Sequence, residues 1–433
     1  MNTNTGAAGN EIFDMFMKSQ FWPVEQILDF QRSQLAQLLR HAKANVPFYK
    51  TRLDCVLHAD GSVDWDRWSE IPILTRADLR DHADEMRSRM QPLGHGVVTA
   101  SSTSGSTGVP ITVHHNALMG HVSSQAWQRF YAIHKLDEAS IWADFRPPNV
   151  SGMSTDQEFA IFDDMGSLQK KYGIRKNLTT QRKLEILKTL GVKILSDLPT
   201  HIEVLARQNL RRDNPVKLKV VIAIGMGVSL EQRQLFLDSF GAKTLSPYSS
   251  KEGSLIAFEC SHSPQHFHVN SELVFMEVLD DAGMPCRSSE TGRSIVTAFY
   301  NTAQPIIRYD QGDQVSFASN HKCDITLPAL GCIEGRSDPI FRFPGMDYAL
   351  SYPNISLIQS SLSADAYQIA QTKPLNIEIR YVSQKSASPS SQDRIREHFY
   401  EHFPSEVQID FVRVDDIPYN QSGKQQRIVR EFD

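Results

Sequence analysis

The sequence contains no apolar run approaching the roughly 18 residues that a membrane-spanning helix needs, although 40% of its 433 residues are hydrophobic. We therefore expect no membrane insertion. It also lacks an excess of basic charge: 45 Lys and Arg stand against 50 Asp and Glu, a formal net charge of -5. Nothing here supplies the global positive field that draws in nucleic acid or anionic lipid. Cysteine is scarce, and the five thiols of Cys55, Cys260, Cys286, Cys323 and Cys332 are too few and too scattered for a disulfide framework. They read as free thiols, metal ligands or both. The opening MNTNTGAAGNEIFD has neither a basic n-region nor an apolar h-region, so the expected location is the cytoplasm. Two common nucleotide signatures are missing, the Walker A pattern and G-x-G-x-x-G, and no internal repeat is found.

The length exceeds one ordinary core, which predicts two or more domains. The first ten residues read as a mobile tail. From Pro23 to about Asn45, the apolar residues Ile27, Leu28, Phe30, Leu35, Leu38 and Leu39 recur at helical spacing, and Pro47 closes the helix. Between about 180 and 250, helix and strand signals alternate. QRKLEILKTL stops at Gly191 before the strand VKILSD, and a helix from Thr200 to Arg212 leads into KVVIAI. Ser229 with Gln232 forms a capping box for SLEQRQLFLDSF, which Gly241 ends before KTLSPY. Repeated units of this length predict an α/β fold with a mostly parallel, helix-covered sheet, whose ligand lies beyond the carboxyl ends of the strands. After about residue 268, strand-like segments such as ELVFMEVLD and RSIVTAF predict an antiparallel, barrel-like subdomain. Near Gly335 begins a small α+β domain, with strands LNIEIRYV and VQIDFVRV around the helix QDRIREHFYEHF and with SQKSASPSSQD as a polar loop.

The most informative segment is ASSTSGSTGVPITV, residues 100 to 113. Glycines let backbone amides approach an anion closely, and the crowded hydroxyls add donors to phosphate oxygens. Composition alone would also allow a flexible linker, but Pro110 and the strand-like residues after it favour a defined turn. TSGSTGVP resembles the phosphate loop of the adenylate-forming superfamily, the group of acyl-CoA synthetases, luciferases and peptide-synthetase adenylation domains. On that resemblance Thr103, Ser104, Gly105, Ser106, Thr107 and Gly108 bind the nucleotide, with Thr107 among the catalytic residues.

Further segments appear in the superfamily's order. Tyr248-Ser-Ser-Lys-Glu252 looks like its Tyr-Gly-x-Ser/Thr-Glu segment, which implies Tyr248 on the adenine, Ser249, Ser250 and Lys251 near the nucleotide, and Glu252 on a magnesium ion. Ser249 replaces the usual glycine and Lys251 a hydroxyl residue. Arg308-Tyr-Asp-Gln-Gly-Asp313 is similar to the segment whose last Asp accepts the ribose hydroxyls. Gly335-Arg336-Ser-Asp338 resembles the hinge, implying Arg336 on the nucleotide, Asp338 as pivot and Gly345 beside the thiol tunnel; Pro339 stands where a second Asp is common. Asn420-Gln-Ser-Gly-Lys424 looks like the terminal segment whose lysine bridges carboxylate and α-phosphate. The resemblance divides the chain into an adenylate-forming domain, 1–334, and a mobile C-terminal domain with the catalytic lysine, 335–433.

LLRHAKANVPFYKTRL, IPILTRADLRDH, AFEC and HVNSELVFMEVLD look like the phenylacetate-CoA ligases and their relatives in capsular polysaccharide synthesis. The implied activity is ATP-dependent conversion of a small, aromatic carboxylic acid to an acyl-adenylate, then to a CoA thioester. Transfer to an amine, a sugar or a carrier-protein thiol is the alternative, and a degenerate, non-catalytic nucleotide-binding protein is a third reading. A homodimer stays open. Related enzymes place the acid pocket where this chain has Trp127, Phe130, Tyr131, Phe145, Ile224 and Met226. Aromatic residues at helical spacing also serve as core. Cys260, His268, Cys323 and Cys332 supply thiolates and an imidazole suited to structural zinc, and relatives in this branch carry a comparable set; buried free cysteines are the alternative.

Overall fold

The structure, a computed structural model, describes residues 5–102, 111–137, 139–146, 157–162, 170–175, 178–264, 266–319, 323–334, 341, 343–344, 358, 361–362, 364, 366–400, 403–417 and 428–432. Helices α1 (Thr5–Ser19), α2 (Val24–Asn45) and α3 (Arg76–Asp81) precede the hairpin of β1 (Val98–Ser102) and β2 (Thr112–Asn116), which runs into α4 (Ala117–Ile133). Next come β3 (Trp142–Arg146), β4 (Phe159–Phe162), β5 (Lys171–Arg175), α5 (Thr180–Thr189), β6 (Ile194–Asp197), α6 (Pro199–Asn209), β7 (Val220–Ala223), α7 (Leu230–Phe240) and β8 (Lys243–Leu245).

These strands form a six-stranded sheet in the order β4-β5-β3-β6-β7-β8, parallel except where β4 meets β5. The capping box of Ser229 and Gln232 is formed at the start of α7, and Gly241 closes that helix at a φ of 71°. Strand alternation sorts the side chains. Ile194, Val220 and Ile222 enter the central core, while Leu195 and Val221 enter a second core under α5, α6 and α7.

The antiparallel sheet comprises β9 (Tyr248–Ser250), β10 (Ser254–Glu259), β11 (Phe267–Val269), β12 (Val274–Leu279), β13 (Gly292–Ala298), β14 (Ile306–Phe317) and β15 (Ala329–Glu334). Its order, β12-β13-β14-β15-β11-β10-β9, leaves β12 and β9 as edges, and it begins with the 248 segment rather than near residue 268. A four-stranded sheet with α8 (Pro389–Tyr400) contains β16 (Ala366–Lys373), β17 (Asn376–Val382), β18 (Gln408–Arg413) and β19 (Ile428–Arg430), in the order β18-β17-β16-β19. Its core, from Phe341 to Ile428, is separate from the other two, with Val204 of α6 packed against it. α8 begins inside the stretch read as a polar loop.

The start of the chain differs from the sequence reading, because α1 begins at Thr5 where a tail is expected. Tertiary packing is the reason. Phe16 is fully buried, and its carbonyl accepts a bond of 3.0 Å from Arg129 of α4. The Arg129 guanidinium lies between the rings of Phe16 and Phe258, 4.8 and 5.1 Å from their centroids. It pairs with Glu272 at 2.7 Å, both side chains having no exposure. Removing one partner of such a pair strands a buried charge, at a cost of about 3–5 kcal/mol.

Candidate functional site

The segments at 248–252 and 308–313 are far apart in sequence, and the antiparallel sheet brings them together. Tyr248 opens β9, and its hydroxyl donates to Asp313 Oδ2 at 2.8 Å and lies 3.1 Å from Ser294 Oγ. Glu252 follows β9 in the turn to β10, and its carboxylate, 5% exposed, lies with Oε1 3.5 Å from the hydroxyl of the buried Tyr309. Ser250 Oγ accepts from Gly253 N at 2.8 Å, which tightens that turn, while Ser249 pairs in register with Leu255.

Within the 308–313 segment the carboxylates have separate tasks. Asp310 accepts from Gly312 N at 2.8 Å and pairs with Arg293 at 3.3 Å, and Gly312 has a φ of 77°, which favours glycine. Asp310 therefore shapes the turn, and Asp313 faces Tyr248.

Residues 103–110 lie outside the described residues, so Thr103, Ser104, Gly105, Ser106, Thr107 and Gly108 do too. The strands on either side are described, with Ser102 opposite Thr112 and Val98 opposite Asn116. Buried polar residues tie this hairpin to the segment entering β14. Gln304 Oε1 accepts from His114 N at 2.9 Å, Asn301 Nδ2 donates to His114 O at 2.9 Å, and Asn116 Nδ2 donates to Tyr300 O at 3.0 Å and Thr302 Oγ1 at 2.6 Å. Asn116 also caps α4, accepting from Met119 N at 2.7 Å. Sequence reasoning passed over Asn116, Asn301, Thr302 and Gln304. For the last three the only signal is the polar run NTAQ ahead of a strand, which reads as an exposed turn but is almost fully buried.

Lys251 is exposed, and among the described residues no carboxylate pairs with it. Its charge reaches His115 on β2. Burial, then Lys251 and His114, pull His115 down to about 4, so the imidazole is neutral at pH 7.

The acid-pocket residues divide. Phe130 is fully buried, with Trp127 and Tyr131 half-buried above the central core at ring separations of 5.9 and 5.8 Å from it. Ile224 and Tyr248 pack against that same core. Met226 lies half-buried just beyond Gly225, past the end of β7. Phe145 belongs to the second core, under Lys183 at 5.3 Å, which separates it from the others. Arg336, Asp338, Gly345 and Lys424 lie outside the described residues.

A second cluster lies at the far end of β10. Ligand atoms of Cys260, His268 and Cys323 fall within 4.8 Å of one another. His268 Nε2 is 3.2 Å from Cys323 Sγ, and its Nδ1 is 3.2 Å from Leu327 O. A proton on Nδ1 donated to that carbonyl leaves the Nε2 lone pair facing the thiols, as a zinc-binding imidazole requires. Burial pushes the Cys323 thiol up, with Cys260 adding to the shift. Cys332 sits on β15 opposite Ser316 in register, and its side chain is outside the described set.

Known proteins resemble both the sequence and the fold. Sequence relatives along 80% of the chain and a shared fold along 95% of it place the chain in the adenylate-forming superfamily. The relatives in sequence are phenylacetate-coenzyme A ligases, from Escherichia coli strain K12 (22% identical over 373 residues, 80% of this chain and 79% of that one) and from Pseudomonas putida (20% over 376 residues, with the same shares). In structure the chain is similar to 2-hydroxyisobutyryl-CoA ligase with 2-HIB-AMP and CoA in the thioesterification state (TM-score 0.61, 17% identity, 95% of this chain and 91% of that one). It is also similar to the same ligase in its postadenylation state, with a TM-score of 0.59, 18% identity, and 95% and 93% covered. No family profile matches the chain.

Proposed function

We propose that the chain is an AMP-forming acid–CoA ligase acting on a small, aromatic carboxylic acid. The observation that carries this reading is the meeting of the 248–252 and 308–313 segments through the Tyr248–Asp313 hydrogen bond and the Glu252–Tyr309 contact. Separate motif segments that converge at a strand end form a site, whereas chance matches would scatter.

The chemistry has two steps. A carboxylate oxygen of the acid attacks the α-phosphorus of ATP, the bond to the bridging oxygen breaks, and pyrophosphate leaves. The thiol of CoA then attacks the acyl carbon of the adenylate, the carbon–oxygen bond to phosphate breaks, AMP leaves, and the thiol proton passes to solvent. Both steps need anions brought together and charge offset on the α-phosphate. Asp313 takes the ribose hydroxyls, Tyr248 the adenine face, and the exposed ammonium of Lys251 offers itself to a phosphate oxygen. Arg336 and Lys424 complete the nucleotide contacts, Lys424 bridging the α-phosphate and the acid. Residues 335–433 move as a unit about Asp338 between the steps, opening a path for the thiol beside Gly345. The acid lies among Trp127, Tyr131, Ile224 and Met226.

Glu252 suits a magnesium ion. It is a nearly buried carboxylate with one long hydrogen bond and, among the described residues, no cationic partner, the kind of oxygen donor that hard cations take. Such an ion supplies positive charge beside the α-phosphate when bound. Cys260, His268 and Cys323 suit structural zinc, with Cys332 as fourth ligand. Such a protein works in the cytoplasm, where ATP and CoA are at hand.

The test is a pyrophosphate-release screen over carboxylic acids, with and without CoA. Acid-dependent release, with acyl-CoA formed when CoA is added, is expected. Release without acyl-CoA would transfer the reading to an amine, sugar or carrier-protein acceptor. No release with any acid would leave a nucleotide-binding protein without catalysis.

A further inference from the structure

Two residues beside the Glu252–Tyr309 contact have backbones in the left-handed region without being glycine: Arg308, immediately before Tyr309, with a φ of 50°, and Ser254, two residues after Glu252, with a φ of 61°. Such conformations cost about 1–3 kcal/mol each and persist only where the surroundings over-determine them. Both are tied down from other parts of the fold.

Arg308 is 2% exposed. Its Nε and Nη2 reach Glu277 at 3.0 and 2.9 Å, and its Nη1 donates to Ser69 O at 2.8 Å and Ile71 O at 2.6 Å. Its backbone N–H goes to Thr297 Oγ1 at 2.9 Å. Leu74 bridges the same stretch, its N–H to Arg308 O at 2.8 Å and its carbonyl from Asp310 N at 2.9 Å. Tyr309 is thus fixed from β13 on one side and from residues 69–74 on the other. At the other end, the Ser254 hydroxyl is hydrogen-bonded to that of Ser123 on α4, and Ser254 pairs with Ser250 across the turn that carries Glu252. The turn has little slack, since a Cβ on Gly253 would come within 2.9 Å of Ile256 Cγ1.

We propose that Tyr309 is a positioning residue that orients the Glu252 carboxylate for a divalent cation, with Arg308 and Ser123 holding the two strained corners that aim the pair at each other. A phenol donating to Oε1 turns Oε2 toward the ligand, and partners of a metal-binding carboxylate fix its geometry in this way. The contact of 3.5 Å is long for an O–H···O bond, and bonds of this type tighten in the loaded complex. The inference rests on the assignment of Glu252 as the metal carboxylate.

The experiment measures Mn2+ affinity by electron paramagnetic resonance on the full chain with α,β-methylene-ATP, a non-reacting analogue. Tyr309→Phe removes only the hydroxyl. We expect its Mn2+ affinity to fall about tenfold, the lower end of what such partners contribute, while metal-free analogue binding and the melting temperature stay put. Ser123→Ala should lose affinity in the same direction, and Ser123→Thr, which keeps a hydroxyl, should recover it. If Glu252→Gln removes Mn2+ binding and Tyr309→Phe does not weaken it, the proposal fails while the assignment of Glu252 stands. If Glu252→Gln binds Mn2+ as the unaltered chain does, both fall.

Discussion

The hydroxyl of Tyr248 donates to Asp313 Oδ2 at 2.8 Å, linking the residue proposed for the adenine to the residue proposed for the ribose. In the proposed complex, one side chain thereby orients the carboxylate that would hold the other half of the nucleoside.

Asp313→Ala should weaken ATP binding about tenfold, since it removes the proposed ribose acceptor together with the carboxylate that the Tyr248 hydroxyl donates to. Tyr248→Phe should weaken it less, because the carboxylate remains. Isothermal titration with ATP measures both; an unchanged affinity in Asp313→Ala would reduce that residue to a member of the turn.

Lys424→Ala should abolish acid-dependent exchange of pyrophosphate into ATP while ATP still binds. In the proposed role the lysine's charge matters most as the α-phosphorus becomes five-coordinate, so its loss should appear in the transition state more than in the ground state. Near-normal exchange in the variant would remove Lys424 from the chemistry.

Acid should destabilise the fold through buried imidazoles. Burial, with Lys243 adding to it, pulls His134 from its ordinary 6.5 down to about 4, against a smaller opposing effect from its 2.9 Å bond to Glu259 O. His115 is drawn to about 4 as well. Well above 6.5 neither histidine is protonated in either state, and stability does not change on their account. Between 6.5 and about 4 the unfolded chain takes up protons that the fold excludes, so stability falls with pH, by on the order of 2 kcal/mol for each residue. His134→Gln, whose amide can donate to the same carbonyl, should lessen the decline in urea unfolding between pH 7.5 and pH 4.5. A variant profile that overlays the original would rule His134 out as a source.

Elemental analysis of protein purified without a His-tag should find about one zinc per chain, for one four-ligand site. Cys260→Ser should lose the metal and lower the melting temperature, because metal binding to such a site is coupled to folding. Fully folded, metal-free protein would show that the thiols are only core.

Much of the architecture was legible because it is local. The capping box of Ser229 and Gln232, the stops at Gly191 and Gly241, and the alternation in β6 and β7 all depend on near neighbours in the chain. What escaped depends on distant partners. α1 exists because Phe16 is covered by Arg129, and nothing in the opening residues announces it. β16 follows a stretch without clear pattern and has its register set by β17 and β19. At the site, the motif residues Tyr248, Glu252 and Asp313 could be read from a resemblance, while Asn116 and Gln304 could not, since their importance lies in burial and in bonds across nearly two hundred positions of chain. Phe145 shows the converse, an aromatic residue that joins a different core from its sequence companions.

The buried pair of Arg129 and Glu272 also bears on the order in which a chain leaving the ribosome can become native. α1 emerges before α4, yet the guanidinium that joins them has no counter-charge until residue 272 has been made. Seating α1 before that point would bury a lone cation, which the interior penalises heavily. Helix α1 is therefore expected to wait, exposed or loosely held, until the chain as far as residue 272 has been synthesised, and to lock in only as β12 joins the sheet. Early emergence and late docking leave this helix open to chaperones and proteases during biogenesis.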